Sequence, residues 1–188
     1  MTLAACAAVL ITSLAPAAPA GAQAPAPSCA NESIVPTTIV TAVRARYAML
    51  CLINRQRRAR GLAALRTNLR LTAVAQVHAN DLVRRRYFSH YTWRGPGIAF
   101  RTFRGRLIRF RYPVFGRTFL AGEALGWNFD EWAMPAISLP RIMLSPPHRF
   151  HILRSLYREI GIGVVARAPF GLLSQQGATY VINLGLIR

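Results

Sequence analysis

Three side chains in this sequence carry the chemistry of a divalent-metal or acid/base site. His90 closes the run Arg86-Tyr87-Phe88-Ser89-His90, Glu123 stands in Gly122-Glu123-Ala124, and His148 stands in Ser145-Pro146-Pro147-His148-Arg149. Neutral imidazole and carboxylate are ligands that zinc accepts, and both groups titrate in a range useful for proton transfer. Their separations of 33 and 25 residues are not those of a local metal motif. A shared site therefore requires the fold to bring three distant segments to one cleft, with His90 at the end of a long helical pattern and the other two in glycine- or proline-marked turns.

The chain that must do this has 188 residues, 53% of them hydrophobic, enough for one domain with an ordinary core. Its first 27 residues contain no charge. An apolar run from Leu3 to Leu14, followed by small-residue sites at Ala18-Pro19-Ala20 and Ala20-Gly21-Ala22, has the pattern of a secretory signal, although no basic residue precedes it. The expected division is a signal peptide over residues 1–22, an irregular arm over 23–40 and one domain over 41–188, secreted and without a transmembrane segment in its mature form. Removal of the leader takes Cys6 away and leaves Cys29 and Cys51, an even number in an oxidising compartment. A Cys29–Cys51 disulfide would tie the arm to the first helix. The alternative is a buried Cys51 on an apolar helix face with Cys29 idle.

The formal charge is +18, and with no lysine present all 24 basic residues are arginine. Ten arginines and ten aromatics interleave between Asp81 and Glu123, where no acid occurs. This stretch could hold an anionic polymer, with guanidinium on phosphate and rings stacking. The favoured reading is a short third helix over residues 99–110, its rings in the core and its arginines solvated, since no recognised nucleic-acid module accompanies it.

The elements that must position the three side chains follow from periodicity. Val40, Val43, Tyr47, Leu50 and Cys51 form a 3.6-residue stripe within a helix over residues 38–60, and Gly61 sits where a left-handed terminator belongs. Asn68 is the N-cap of a second helix over residues 69–86, with Leu71, Val74, Ala75, His78, Leu82 and Tyr87 facing inward; one imidazole on such a face, His78, reads as a core residue. Residues 135–144 suggest a helix broken or started by Pro140, and residues 148–153 a short helical turn. Two β-branched runs, residues 160–166 and 178–184, read as an antiparallel pair across a turn-rich link. Helices first and strands last give a layered α+β domain.

Five ordered pieces resemble the CAP superfamily of secreted SCP-like domains, in its bacterial branch. Leu52-Ile53-Asn54, Arg57, Gly61 and Leu65 are similar to its first-helix signature, and Ala75, His78, Asp81 and Phe88-Ser89-His90 to its second. Gly122-Glu123-Ala124 resembles its Gly-Glu-Asn turn. Ser145-Pro146-Pro147-His148-Arg149 with Ile152-Leu153, and Glu159-Ile160-Gly161-Ile162-Gly163, resemble its last two motifs. The resemblance implies a three-layer α-β-α sandwich with a central antiparallel sheet and a cleft lined by His90, Glu123 and His148 as metal ligands. It departs from the family at Ala124, at Pro147, at Ile142 and at His151, and residues 136–144 supply no acid for the family's fourth ligand. His151 then stands as an additional ligand for a weakly held zinc ion.

The function expected is that of a secreted binding module acting at or outside the cell envelope, its ligand a lipid, an envelope component or a protein. Two alternatives share the chain. One is a metal-dependent hydrolase with Glu123 as general base in the same cleft; the other is an anionic-polymer binder working through residues 82–122, with weak, unspecific polyanion contact.

Overall fold

The computed structural model describes residues 28–92, 102–113, 117–172 and 175–187; the expected leader lies outside them. Helix α1 (Ile39–Arg58) starts at a reciprocal cap, in which the Thr38 hydroxyl accepts from the Thr41 N–H and the Thr41 hydroxyl accepts from the Thr38 N–H. It buries Ala42, Ala45, Ala48, Met49, Leu52, Ile53 and Arg57. The expected stripe was therefore rotated: Val40 and Tyr47 are 60% and 65% exposed, because the inward face is made of alanines that let α1 lie close to the layer beneath. The Cys29–Cys51 disulfide is present, with its Cα atoms 5.8 Å apart, and it ties the preceding irregular segment to this helix.

Strand β1 (Arg66–Thr67) leads into α2 (Leu69–Arg85), capped by Asn68, whose side chain accepts from the Arg70 and Leu71 N–H groups. The inward residues read from the sequence, His78 among them, are buried. Helix α3 (Phe103–Arg109) follows, with Leu107 and Tyr112 packed on Leu71 and Val74; the expected start of that helix, at residues 99–101, lies outside the described residues. Then come β2 (Phe119–Phe129), a 3-10 turn (Asp130–Ala133), α4 (Pro135–Met143), α5 (Pro146–Leu153), β3 (Glu159–Val165) and β4 (Gly177–Ile187). Pro140 sits inside α4 without ending it, and Pro146 and Pro147 open α5, where a missing N–H costs nothing.

The strand order is β1-β3-β4-β2. β2 and β3 both run antiparallel to β4, and only the two-residue β1 joins in parallel, which makes the sheet mixed at one edge. Side chains alternate across it. Ile160, Ile162, Val164, Tyr180, Ile182, Leu184 and Ala124 join the core shared with α1, α4 and α5, whereas Leu125 and Val181 pack on Ala75, Ala79 and Leu82 of α2. This is the α-β-α sandwich, with α2 and α3 forming one outer layer and α1, α4 and α5 the other. Helix α2 presses on the sheet at Gly161 and Gly163, where a Cβ would come within 2.1–2.5 Å of α2 backbone atoms.

One sequence expectation fails in a way that matters for the site. Gly122-Glu123-Ala124 was read as a turn, yet it is the middle of β2, in register with Asn183 of β4. Its glycines serve packing instead: a Cβ at Gly122 would strike the His151 ring, and one at Gly126 would strike Ile142.

Candidate functional site

β2 places Glu123 on the α2 face of the sheet, where its side chain is 2% exposed. A lone carboxylate there would be costly, since burial disfavours its charged form. Arg106 of α3 answers it, donating from Nη2 to Oε1 at 2.9 Å and to Oε2 at 2.7 Å. His90 Nδ1 donates to Oε1 at 2.9 Å, and the Asn183 amide, oriented to satisfy both its groups, donates to Oε2 at 3.2 Å while accepting from the Ala75 N–H at 3.1 Å. Burial raises the Glu123 pKa, but the bond from His90 and the charge of Arg106 outweigh it and hold it below the usual range. A carboxylate offers about four acceptor positions, and these four donor contacts use them.

The loop that carries His90 is held from several sides. Asp81 accepts from the Tyr87 hydroxyl at 2.6 Å and from Arg85 Nε at 2.8 Å, which fixes the end of α2. His78 Nε2 donates to the Ser89 carbonyl at 3.0 Å, and Arg106 Nη1 donates to the His90 carbonyl at 3.1 Å. His78 is wholly buried, and burial pushes its pKa down to about 4, the Arg106 charge acting in the same sense. Its Nδ1 has no hydrogen-bond partner among the described residues.

His148 comes from α5 on the other side of β2. Arg57, buried in α1, fixes the far end of α5: its guanidinium donates to the carbonyls of Ile152 at 2.8 Å and Arg154 at 3.1 Å, which a helix C-terminus would otherwise leave unpaired. His148 Nε2 then stands 3.3 Å from His90 Nε2. Burial, followed by the proximity of His90, lowers the His148 pKa.

The structure thus brings His90 and His148 face to face and sets Glu123 behind His90, where it orients the ring rather than joining it. The four acceptor positions of Glu123 are taken, so the expected three-ligand set becomes two imidazoles with a carboxylate support. No group of three or more His, Cys, Asp or Glu side chains fit to hold a metal occurs among the described residues. His151 lies apart, over Gly122 on the opposite face of β2 from Glu123, with its Nδ1 at 3.2 Å from the Tyr157 hydroxyl. Burial, then Arg154, lowers its pKa.

The donor set still fits a cation. Two imidazole nitrogens each about 2.0–2.1 Å from a tetrahedral zinc ion stand about 3.3 Å apart, the separation observed. Such an ion would keep open positions for water or ligand and could polarise a bound carbonyl.

The order and placement of these residues agree with the comparisons. A sequence model of the cysteine-rich secretory protein family, CAP, matches residues 50–171. The chain belongs to the CAP family. No curated protein matches its sequence. Among solved structures, an extracellular protein containing an SCP domain from Bacillus anthracis aligns with a TM-score of 0.57 at 22% identity over 78% of this chain and 43% of its own. An outer surface protein of Borrelia burgdorferi aligns at 0.57 and 16% identity over 74% and 90%, and a cysteine-rich secretory protein of Staphylococcus aureus at 0.53 and 21% over 78% and 40%. This CAP chain spans less than half the length of the Bacillus and Staphylococcus proteins, and at these identities the likeness is one of fold.

Arg106 is the functional residue that sequence reasoning missed. It is one of ten interleaved arginines that read as either a polyanion surface or a solvated helix face, and it is 5% exposed. Its neighbours Arg104 and Arg109 are exposed as expected. A single arginine four residues after a threonine cap carries no pattern of its own; only the pairing with Glu123 distinguishes it.

Proposed function

We propose that this CAP domain is an extracellular binding module whose cleft, at the outer edge of β2, captures a ligand beside a divalent cation held weakly by His90 and His148. One observation carries the reading. His90 gives its Nδ1 proton to Glu123, so its Nε2 lone pair faces His148 Nε2 across 3.3 Å. A proton on His148 Nε2 bridges that gap, and a metal ion bound to both nitrogens could take its place. Two protein ligands make the ion weak and leave room for a ligand.

An extracellular setting is supported by the uncharged leader, by the disulfide, and by the relatives described as extracellular and outer surface proteins. No described helix is long and apolar enough to cross a membrane. A hydrolase with Glu123 as general base is disfavoured, because the carboxylate is buried and fully engaged by donors.

Calorimetric titration of zinc into the wild type, His90→Ala and His148→Ala tests the reading. Binding in the wild type alone, weakening as pH falls and protons compete for the two imidazoles, is expected. Equal affinity in all three proteins would remove the shared site.

A further inference from the structure

The cleft beside His148 has a floor made of backbone. β2 is the last strand in the order and pairs with β4 on one side only. Residues 122–125 are buried, but residues 126–129 are half-exposed, and among the described residues no side chain hydrogen-bonds to the backbone of 125–129. The opposite edge of the sheet is managed differently. There the Gln76 amide accepts from the Val164 N–H at 3.2 Å and donates to the Val164 carbonyl at 3.1 Å, standing in for a neighbouring strand. An open edge is a row of unpaired N–H and C=O groups awaiting a partner.

The walls suit a chain laid along that edge. Phe88 rises on one side, and Ile142, Leu144 and His148 on the other, around a cleft of about 340 Å³. A second depression of about 390 Å³ continues it past Trp127 and Phe129 to Trp132. Leu144 is 78% exposed and Trp132 49%. The successive residues of an extended peptide point to alternate faces, and apolar surface waits on both. Among the described residues, Arg141 is the only formally charged group lining the two depressions. It lies over Trp132 at 4.7 Å and donates from Nε to Asn128 at 3.0 Å, and its two terminal nitrogens make no hydrogen bond among the described residues. A guanidinium so presented matches a carboxylate in fork geometry. The chain's charge of +18 favours an acidic partner and opposes a second copy on the same edge.

We propose that residues 126–129 of β2 receive an extended peptide as an added strand, with a carboxylate side chain of that peptide on Arg141. The inference rests on the reading of this cleft as a binding site and is independent of the cation. Its test begins with a displayed library of random heptapeptides selected on the whole protein in EDTA, followed by fluorescence polarisation of the best labelled binder. Selected peptides carry Asp or Glu among β-branched and aromatic residues. N-methylation of alternate amides weakens binding about tenfold or more in one register and little in the other, and Arg141→Ala weakens it about tenfold. In amide correlation spectra the largest shifts fall at residues 125–129. Failure to enrich peptides, indifference to N-methylation in both registers, shifts centred elsewhere, or concentration-dependent dimers formed through β2 would each overturn it. Peptide binding seen only with zinc would also overturn it and leave the cation reading standing; peptide binding in EDTA by a protein that takes up no zinc would do the reverse.

Discussion

Replacing Arg106 by methionine should be the most costly single change at the site. The side chains of Arg106 and Glu123 are 6% and 2% exposed, with two contacts of 2.9 and 2.7 Å between them. Methionine keeps much of the buried volume and removes the charge, so the loss is chiefly that of an unpaired buried carboxylate, about 3–5 kcal/mol. In a domain of this size that lowers the unfolding midpoint by about 6–20 °C. Glu123 can escape part of the penalty by taking up a proton, so the Arg106→Met protein should be destabilised more at pH 8 than at pH 5. The double variant Arg106→Met with Glu123→Gln should recover most of the loss, because no charge then remains to be buried. Urea unfolding of the wild type, both single variants and the double at the two pH values measures the cycle. A single variant losing less than about 1 kcal/mol, or a double variant with additive losses, would refute the pair as the foundation of the site.

Two further outcomes follow from burial and packing. His78 is held neutral in the folded protein down to about pH 4, from an ordinary 6.5, so the unfolded chain binds the extra proton between those values and stability falls as pH drops through that window, by about 3 kcal/mol at 1.36 kcal/mol per pH unit. Glu123, depressed below 4.5, adds its own loss at lower pH, and His78→Gln should flatten only the upper part of a urea-midpoint profile; an unchanged upper slope would contradict this. Gly161→Ala places a methyl 2.1 Å from the backbone of Leu71 and Thr72 and should cost near the top of the about 1–3 kcal/mol typical of overpacking, whereas Gly122→Ala meets only the His151 ring and should cost less; denaturant midpoints that reverse this order would count against the close approach of α2 to the sheet.

The sequence made the helices and the last two strands legible because each carries a local rule. Asn68 caps α2 as its side-chain chemistry requires, and the β-branched runs of β3 and β4 alternate or stay apolar according to burial. β2 broke those rules. Its residues, Phe-Leu-Ala-Gly-Glu-Ala-Leu-Gly-Trp-Asn-Phe, include no β-branched side chain, and its glycines are needed where His151 and Ile142 press on the strand. A strand squeezed between two helical layers has to be small where they touch it, and that composition reads as a turn. The α1 stripe failed for a related reason, since alanine on the inner face is too weakly hydrophobic to mark itself against Val40 and Tyr47 outside. Residue type and family order singled out His90, Glu123 and His148, but the donors that surround Glu123 could not be read from sequence, because a carboxylate that ligates and one that orients look alike until its donors are known.

Electroneutrality then connects the two proposed occupants of the cleft. The charges of Arg106 and Glu123 cancel within the protein, so the facing imidazoles have no net negative charge behind them to attract a divalent ion, unlike a site built on several carboxylates. On the proposed reading, a cation held there would therefore be held weakly, whatever the ring geometry allows. The same cancellation leaves Arg141 as the uncompensated charge of the cleft, and a cation between His90 and His148 would add to its sign. Both then favour an anionic group on the incoming ligand, and the open backbone of β2 favours that the group be borne by an extended chain.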